Sequence, residues 1–249
     1  MADSRAITDE RVAQVLGVYA RMAHRVIGDP ERWLGLDDDP PPTAALPRKL
    51  LDAIRDRAFG EVTPASPVWG QRPLDDRVRW WVRRIGISAG LAAAVPRVAG
   101  ALADRVPLQA ALGASAAGLA VCSTAREHGV VDPARWVPLL AKVLLDRDVS
   151  TPVVATAEAE EAAARLDDAP PPEEAKGLGP GARRAAGTLW HLARQIWELQ
   201  SVLDERPRGN VLFRTLAQIP AVGLVGGFLD ERGGIKRAAK ETAKLIASG

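Results

Sequence analysis

The sequence predicts an all-α protein, a multi-helix bundle with closely packed Gly/Ala-rich helical hairpins joined by proline-rich loops. Three observations lead there. No segment alternates apolar and polar residues with period two, and Val and Ile never cluster between turn signals as they do in strands. Apolar residues recur instead at three- and four-residue spacing along several long stretches. Between those stretches lie runs of Pro, Gly and Asp that stop a helix. The chain has 249 residues, of which 47% are hydrophobic and 26% charged, enough apolar material for a sizeable core. Rings are scarce at 4%, and most are Trp, so core volume must come from Leu, Val, Ile and Ala.

The first element is a helix over 7–27, "ITDERVAQVLGVYARMAHRVI". Thr8 is its expected cap, and Glu10 sits in the first turn, where the helix dipole favours an acid. Val12, Val15, Leu16, Tyr19, Met22, Ala23 and Val26 form one apolar face. Gly28-Asp29-Pro30 ends it. The acidic, proline-rich run 36–47 is a loop, a short helix is expected over 47–58, and a Pro/Gly-rich loop leads to Pro73. Two apolar helical stretches follow, 74–105 and 106–128, with Pro107 at the start of the second. "HGVVDP" (128–133) is a turn in which Asp132 caps and Pro133 opens a helix over 133–147, with Trp136, Leu139, Leu140, Val143 and Leu144 on one side. An acidic, Ala-rich helix is expected over 156–168, a linker over 169–181, "APPPEEAKGLGPG", and a helix over 182–204. After the break "ERPRGN", the Gly-rich run 215–229 reads as a buried or half-inserted helix, and the chain closes on a basic amphipathic helix. Three parts are therefore expected: a helical domain over 1–168 with its core around 74–147, the linker, and a C-terminal segment over 182–249 that packs on the same core.

Charge and cysteine usage narrow the function classes. A formal net charge of +2 lacks the basic excess of a nucleic-acid binder. The single cysteine, Cys122, forms no intrachain disulfide and points to a reducing compartment. The charged N-terminus has no apolar signal core, so a cytoplasmic protein is expected, at most at the inner face of the membrane. Abundant Ala, Arg, Asp and Pro fit a GC-rich bacterial genome.

One window bears on a membrane directly. Residues 106–125 carry no charge, a length that spans a hydrocarbon core. Only Val106, Leu108, Leu112, Leu119 and Val121 are strongly apolar, worth roughly 2 kcal/mol of insertion at most. Ala110, Ala114, Gly118 and Cys122 recur every four residues and make a ridge that lets another helix approach closely. A packed hairpin is favoured over a crossing, with Cys122 a small buried residue.

Candidate chemistry is sparse. His24, His128 and His191 are far apart and in no metal-ligand spacing, and no cofactor signature is present. Gly223, Gly226 and Gly227 match neither a dinucleotide fingerprint nor a phosphate loop. The clustered acids at 37–39 and 167–168 lack the alternation of a calcium loop. Glu127, His128 and Asp132 could orient a base, but the stretch also reads as a helix end before a turn. Two stretches propose surfaces instead. Trp80 and Trp81 stand among Arg77, Arg79, Arg83 and Arg84, a pairing suited to a headgroup region or, alternatively, to a helix that buries a Trp and solvates its arginines. In the last helix Lys236, Lys240 and Lys244 form a row opposite Ile235, Ala238, Ala239, Thr242, Leu245 and Ile246.

Two runs, "DRVPLQAALGASAAGLAVCSTAREHGVVDPARWVPLLAKVLL" (104–145) and "IPAVGLVGGFLDERGGIKRAAK" (219–240), together resemble EcsC-type bacterial proteins. Those have an apolar Gly/Ala-rich helix, a turn like His-Gly-x-x-Asp-Pro, and a C-terminal Pro-Val-Gly segment before an amphipathic helix. "GISAGLAAAVPRVAG" (86–100) fits the same pattern. Phe228-Leu229-Asp230 departs from it, since the family typically has an asparagine after the last glycine pair. The resemblance implies an all-helical protein with no established catalytic residues, of a kind often discussed alongside membrane transport components, and carries over no functional residue. Three functions are thus open. The first is a non-catalytic protein associating peripherally with an anionic membrane or a membrane-protein partner, possible also as a homo-oligomer. The second is a soluble helical interaction module, and the third an enzyme or small-molecule binder with a pocket between the Gly/Ala-rich helices.

Overall fold

The computed structural model describes residues 9–34, 62–98, 106–149, 160–161, 164–165, 180–204 and 227–248, with positions 91, 93–98, 106–110, 197–204 and 227–232 described by backbone alone. Among these residues there are seven α-helices and no strand, as the periodicity requires. They are α1 (Asp9–Gly28), α2 (Pro30–Leu34), α3 (Leu74–Val98), α4 (Val106–Glu127), α5 (Trp136–Leu145), α6 (Pro180–Asp204) and α7 (Gly227–Ser248). The expected helix over 47–58, the loop over 36–47, the linker residues 169–179 and the Gly-rich run up to 226 lie outside the described residues, as does Thr8. The helix expected over 156–168 is described only in part.

Helix α4 is the hub, packing against α1, α3, α5, α6 and α7. Its composition explains that position. From Ala111 to Ala125 nearly every residue is buried, yet most are Ala, Gly, Ser or Thr, so neighbours approach on all sides. Ser115, Ser123 and Thr124 are buried with them. The described part of the uncharged window, 111–125, thus lies inside protein, and among the described residues no helix is long and apolar enough to cross a membrane.

The small-residue ridge has a specific occupant. Tyr19 of α1 is fully buried and its hydroxyl donates to the Ser115 carbonyl at 2.5 Å. A Cβ placed on Gly118 would stand 2.7 Å from Tyr19 Oη and 2.9 Å from Cε1 and Cζ. Gly118 therefore seats a ring, and a bulkier residue there has no room. Burial pushes the phenol of Tyr19 and the thiol of Cys122 well above their usual ranges, so both stay neutral.

Local signals end the helices as expected. Gly28 closes α1, and Asp29 then caps α2, its Oδ1 accepting from the Arg32 N–H at 3.2 Å with Pro30 at the first helical position. Gly129 at φ 87° closes α4. Its N–H bonds the Arg126 carbonyl at 2.9 Å, and the Val130 N–H bonds the Ala125 carbonyl at 2.9 Å, a Schellman closure that requires the left-handed residue. Asp132 caps the following turn by accepting from the Ala134 N–H at 2.9 Å, with Pro133 next. That turn is a 3₁₀ segment, Pro133–Arg135, so α5 begins at Trp136 and not at 133. Its buried face is Trp136, Val137, Leu140, Ala141 and Leu144, while Leu139 and Val143 are only partly covered. The face is rotated from the expected one because α1, α4 and α7 all contact this helix.

Polar side chains lock α2 in place. Its last carbonyls have no helical partner. The guanidinium of Arg84 (α3) donates to the Leu34 carbonyl, Thr188 (α6) donates to the Trp33 carbonyl at 2.9 Å, and Arg184 (α6) donates to the Arg32 carbonyl at 3.4 Å. Elsewhere Arg147 pairs with Asp9 at 2.6 Å and joins the end of α5 to the start of α1.

Candidate functional site

The Arg-Trp stretch of α3 is the first candidate, and its side chains divide between inside and outside. Trp80 is 7% exposed and Trp81 1%, so both rings lie in the core and not on a headgroup-facing surface. The physical reason is an acceptor that the local sequence does not display. Glu127, at the end of α4, turns inward with a side chain 6% exposed. Trp81 Nε1 donates to its Oε1 at 2.8 Å, and Arg77 pairs with its Oε2. Trp69, in a 3₁₀ turn at Trp69–Gln71, shares its N–H between the two oxygens at 3.1 and 3.3 Å. One buried carboxylate thus joins the loop before α3, the first turns of α3 and the end of α4. Arg77 and Trp81 reach it together because they stand four residues apart on one helix face.

Trp80 fills the space beside this network. Its ring meets Trp69 edge-on at 5.4 Å and Trp81 edge-on at 5.0 Å, arrangements that ring quadrupoles favour. Arg84 is 3% exposed and is used on the Leu34 carbonyl, where burial lowers its pKa to about 9. It remains a cation at neutral pH. Arg79 and Arg83 face solvent, and Arg79 pairs with Asp76 at 3.1 Å within the helix. Of the six α3 residues expected at a surface, four are therefore in or against the core.

The Glu127–His128–Asp132 group does not assemble an acid–base pair. Glu127 accepts from Arg77, Trp69 and Trp81, Asp132 caps the turn after Gly129, and no hydrogen bond joins either to His128. Among the described residues no group of three or more His, Cys, Asp or Glu side chains could hold a metal ion. His24 lies against Trp136, ring centroids 5.7 Å apart, and burial together with the nearby Arg126 lowers its pKa.

The α7 row stands as the sequence divides it. Ile235, Ala238, Ala239 and Thr242 are buried, Leu245 and Ile246 are partly so, and Lys236, Lys240 and Lys244 are exposed on the other side with Arg237. This exposed strip holds four cations and one acid, Glu241. Among the described residues none of the three lysines is in an ion pair. The apolar face packs on α4, α3 and α5, so this amphipathic helix is part of the bundle.

Sequence reasoning missed Glu127 as the acceptor of this corner and Tyr19 as the occupant of the ridge. Glu127 did carry a signal. Arg77 and Trp81, one turn apart on the same helix face, bring two donors inward, and buried donors require an acceptor. Tyr19 carried none beyond its apolar register, because the glycine it covers lies 99 positions along the chain.

Comparison with protein-family models, with curated proteins and with solved structures finds no match to this chain.

Proposed function

We propose that the protein is a non-catalytic helical module that associates peripherally with an anionic membrane surface, through the solvent face of α7. One observation carries the reading. Lys236, Lys240 and Lys244 line an exposed strip whose helix already satisfies its apolar face inside the bundle, so these cations have no role in packing. Solvated lysines at four-residue spacing are suited to a diffuse field of anionic headgroups, since Lys acts as a point charge without the bidentate geometry of Arg. Each contributes about 1 kcal/mol near an anionic leaflet, which makes the association weak, reversible and salt-sensitive. The resemblance to EcsC-type proteins is in keeping with a membrane-proximal role.

The contact is narrower than the sequence alone leads one to expect. Trp80 and Trp81 are shut in the core and offer no aromatic anchor, so the lysine strip must act without them. Purified protein is expected to float with vesicles containing phosphatidylserine at low salt, to float less at high salt, and to ignore vesicles of phosphatidylcholine alone. Replacing all three lysines by Glu should abolish flotation with an unchanged helical signal. If the wild-type chain stays in the soluble fraction with anionic vesicles at low salt, the soluble helical interaction module replaces this reading.

A further inference from the structure

Four basic side chains meet where the C-terminal ends of α1 and α4 come together. Arg21, His24 and Arg25 stand three and four residues apart, on adjoining positions of one α1 face. Arg126, in the last turn of α4, joins them across the helix interface, where it acts on the His24 imidazole together with Arg21 and Arg25. The acid acting there is Glu160, an exposed residue that pairs with Arg21. Among the groups that act on His24, three guanidinium charges thus stand against one carboxylate, an excess of two.

A second observation is independent of charge. Arg126 Nη1 is shut off from solvent with no hydrogen-bond partner, and Arg126 is in no ion pair among the described residues. A dry, unpaired guanidinium N–H is costly, and buried donors of this kind have an acceptor. The neighbouring ring does not supply one. Trp136 lies 5.7 Å from His24, centroid to centroid, and its own N–H is a donor spent on the Val130 carbonyl at 2.6 Å. Cations in the last turns of α1 and α4 suit the helix dipoles, which accounts for Arg25 and Arg126 as charges. It does not account for the dry Nη1.

We propose that Arg21, His24, Arg25 and Arg126 form a binding site for a phosphomonoester anion, with Arg126 Nη1 donating to one of its oxygens. The charge fits, since a phosphomonoester carries about −1.5 to −2 at neutral pH. The donors fit as well, because planar guanidinium groups meet phosphate oxygens through paired N–H bonds, and three terminal oxygens offer each arginine an acceptor of its own. Burial and Arg126 lower the His24 pKa, and a bound anion acts in the opposite direction, so the imidazole reports on the site. The proposal is independent of the lysine strip on α7.

The test is an NMR titration of the full chain with inorganic phosphate at constant ionic strength, chloride making up the balance. His24 is assigned as the imidazole signal lost in His24→Gln. That signal should move saturably, and should titrate at higher pH in phosphate than in chloride alone. Arg126→Gln should weaken binding roughly tenfold or more, because it removes a charged hydrogen bond. Glu160→Gln, at an exposed position, should tighten binding several-fold by taking the competing carboxylate from Arg21. Loss of a merely structural ion pair produces no such gain. Two further arms separate the sources of the phosphate group. Competition by glycerol phosphate assigns a soluble phosphomonoester. Flotation of the chain carrying Lys236→Glu, Lys240→Glu and Lys244→Glu with vesicles containing phosphatidic acid, a phosphomonoester, but not with those containing phosphatidylserine, assigns a lipid headgroup. A His24 signal that ignores phosphate overturns the site, and so does binding that neither Arg126→Gln nor Glu160→Gln changes, whether or not the wild-type chain floats.

Discussion

Two glycines in one helix should respond in opposite ways to the same substitution. Both Gly113 and Gly118 lie in α4, so adding a methyl to either gains about 0.5–1 kcal/mol by restricting the unfolded chain and supporting the helix. At Gly113 nothing lies within 4 Å of the new Cβ, and that gain stands. At Gly118 the Cβ would be 2.7 Å from Tyr19 Oη and 2.9 Å from Cε1 and Cζ, all on a ring that is fully buried and bonded to Ser115. The ring has to retreat by several tenths of an ångström against packed neighbours. Overpacking of this kind costs about 1–3 kcal/mol, and weakening the phenol's hydrogen bond adds about 1 kcal/mol. The net for Gly118→Ala is a loss of about 1–3 kcal/mol, or roughly 3–10 °C in melting temperature for a chain of this size. Gly113→Ala should instead melt about 1–4 °C higher. Thermal denaturation followed by circular dichroism separates the two. A double-mutant cycle with Tyr19→Phe sharpens the assignment: losing Oη removes the closest contact, so Gly118→Ala should cost less in that background. A Gly118→Ala protein that melts at or above the wild type would refute the seated ring.

Three further predictions concern stability. Glu127→Leu strands the Arg77 guanidinium and two indole N–H groups; breaking a buried pair costs about 3–5 kcal/mol, and the lower end applies because Arg77 keeps 20% exposure. Glu127→Gln keeps a carbonyl acceptor and should lose only about 1–2 kcal/mol, so urea midpoints in the order wild type, Gln, Leu check the network. Because burial and Arg126 lower the pKa of His24 in the folded state, the unfolded chain binds that proton first, and stability should fall as pH drops below about 6.5; His24→Gln should flatten that slope, and an unchanged slope would show that the imidazole is not coupled to folding. Gly233→Ala, with open space at its Cβ, should raise the melting temperature by about 1–4 °C while leaving vesicle flotation intact.

Helix content, helix ends and the division of α7 were all decided by short-range chemistry, and so were legible in the chain. Gly129 closes α4 because the left-handed position favours a residue without Cβ, and Asp132-Pro133 opens the next turn by donor satisfaction within three residues. Helical periodicity likewise places Ile235, Ala238, Ala239 and Thr242 inward and Lys236, Lys240 and Lys244 outward. What it does not contain is the identity of the partner across each face. The pattern Arg77-x-x-Trp80-Trp81 has the same spacing whether its rings meet lipid or core, and only the inward turn of Glu127, 46 positions beyond Trp81, selects the core. The ridge at Ala114, Gly118 and Cys122 announces a close approach without naming Tyr19 as what approaches. Periodicity sets which side of a helix is buried because that depends on residues one turn apart; tertiary structure alone sets what buries it, because hydrogen bonds and ring contacts join residues that the chain keeps far apart.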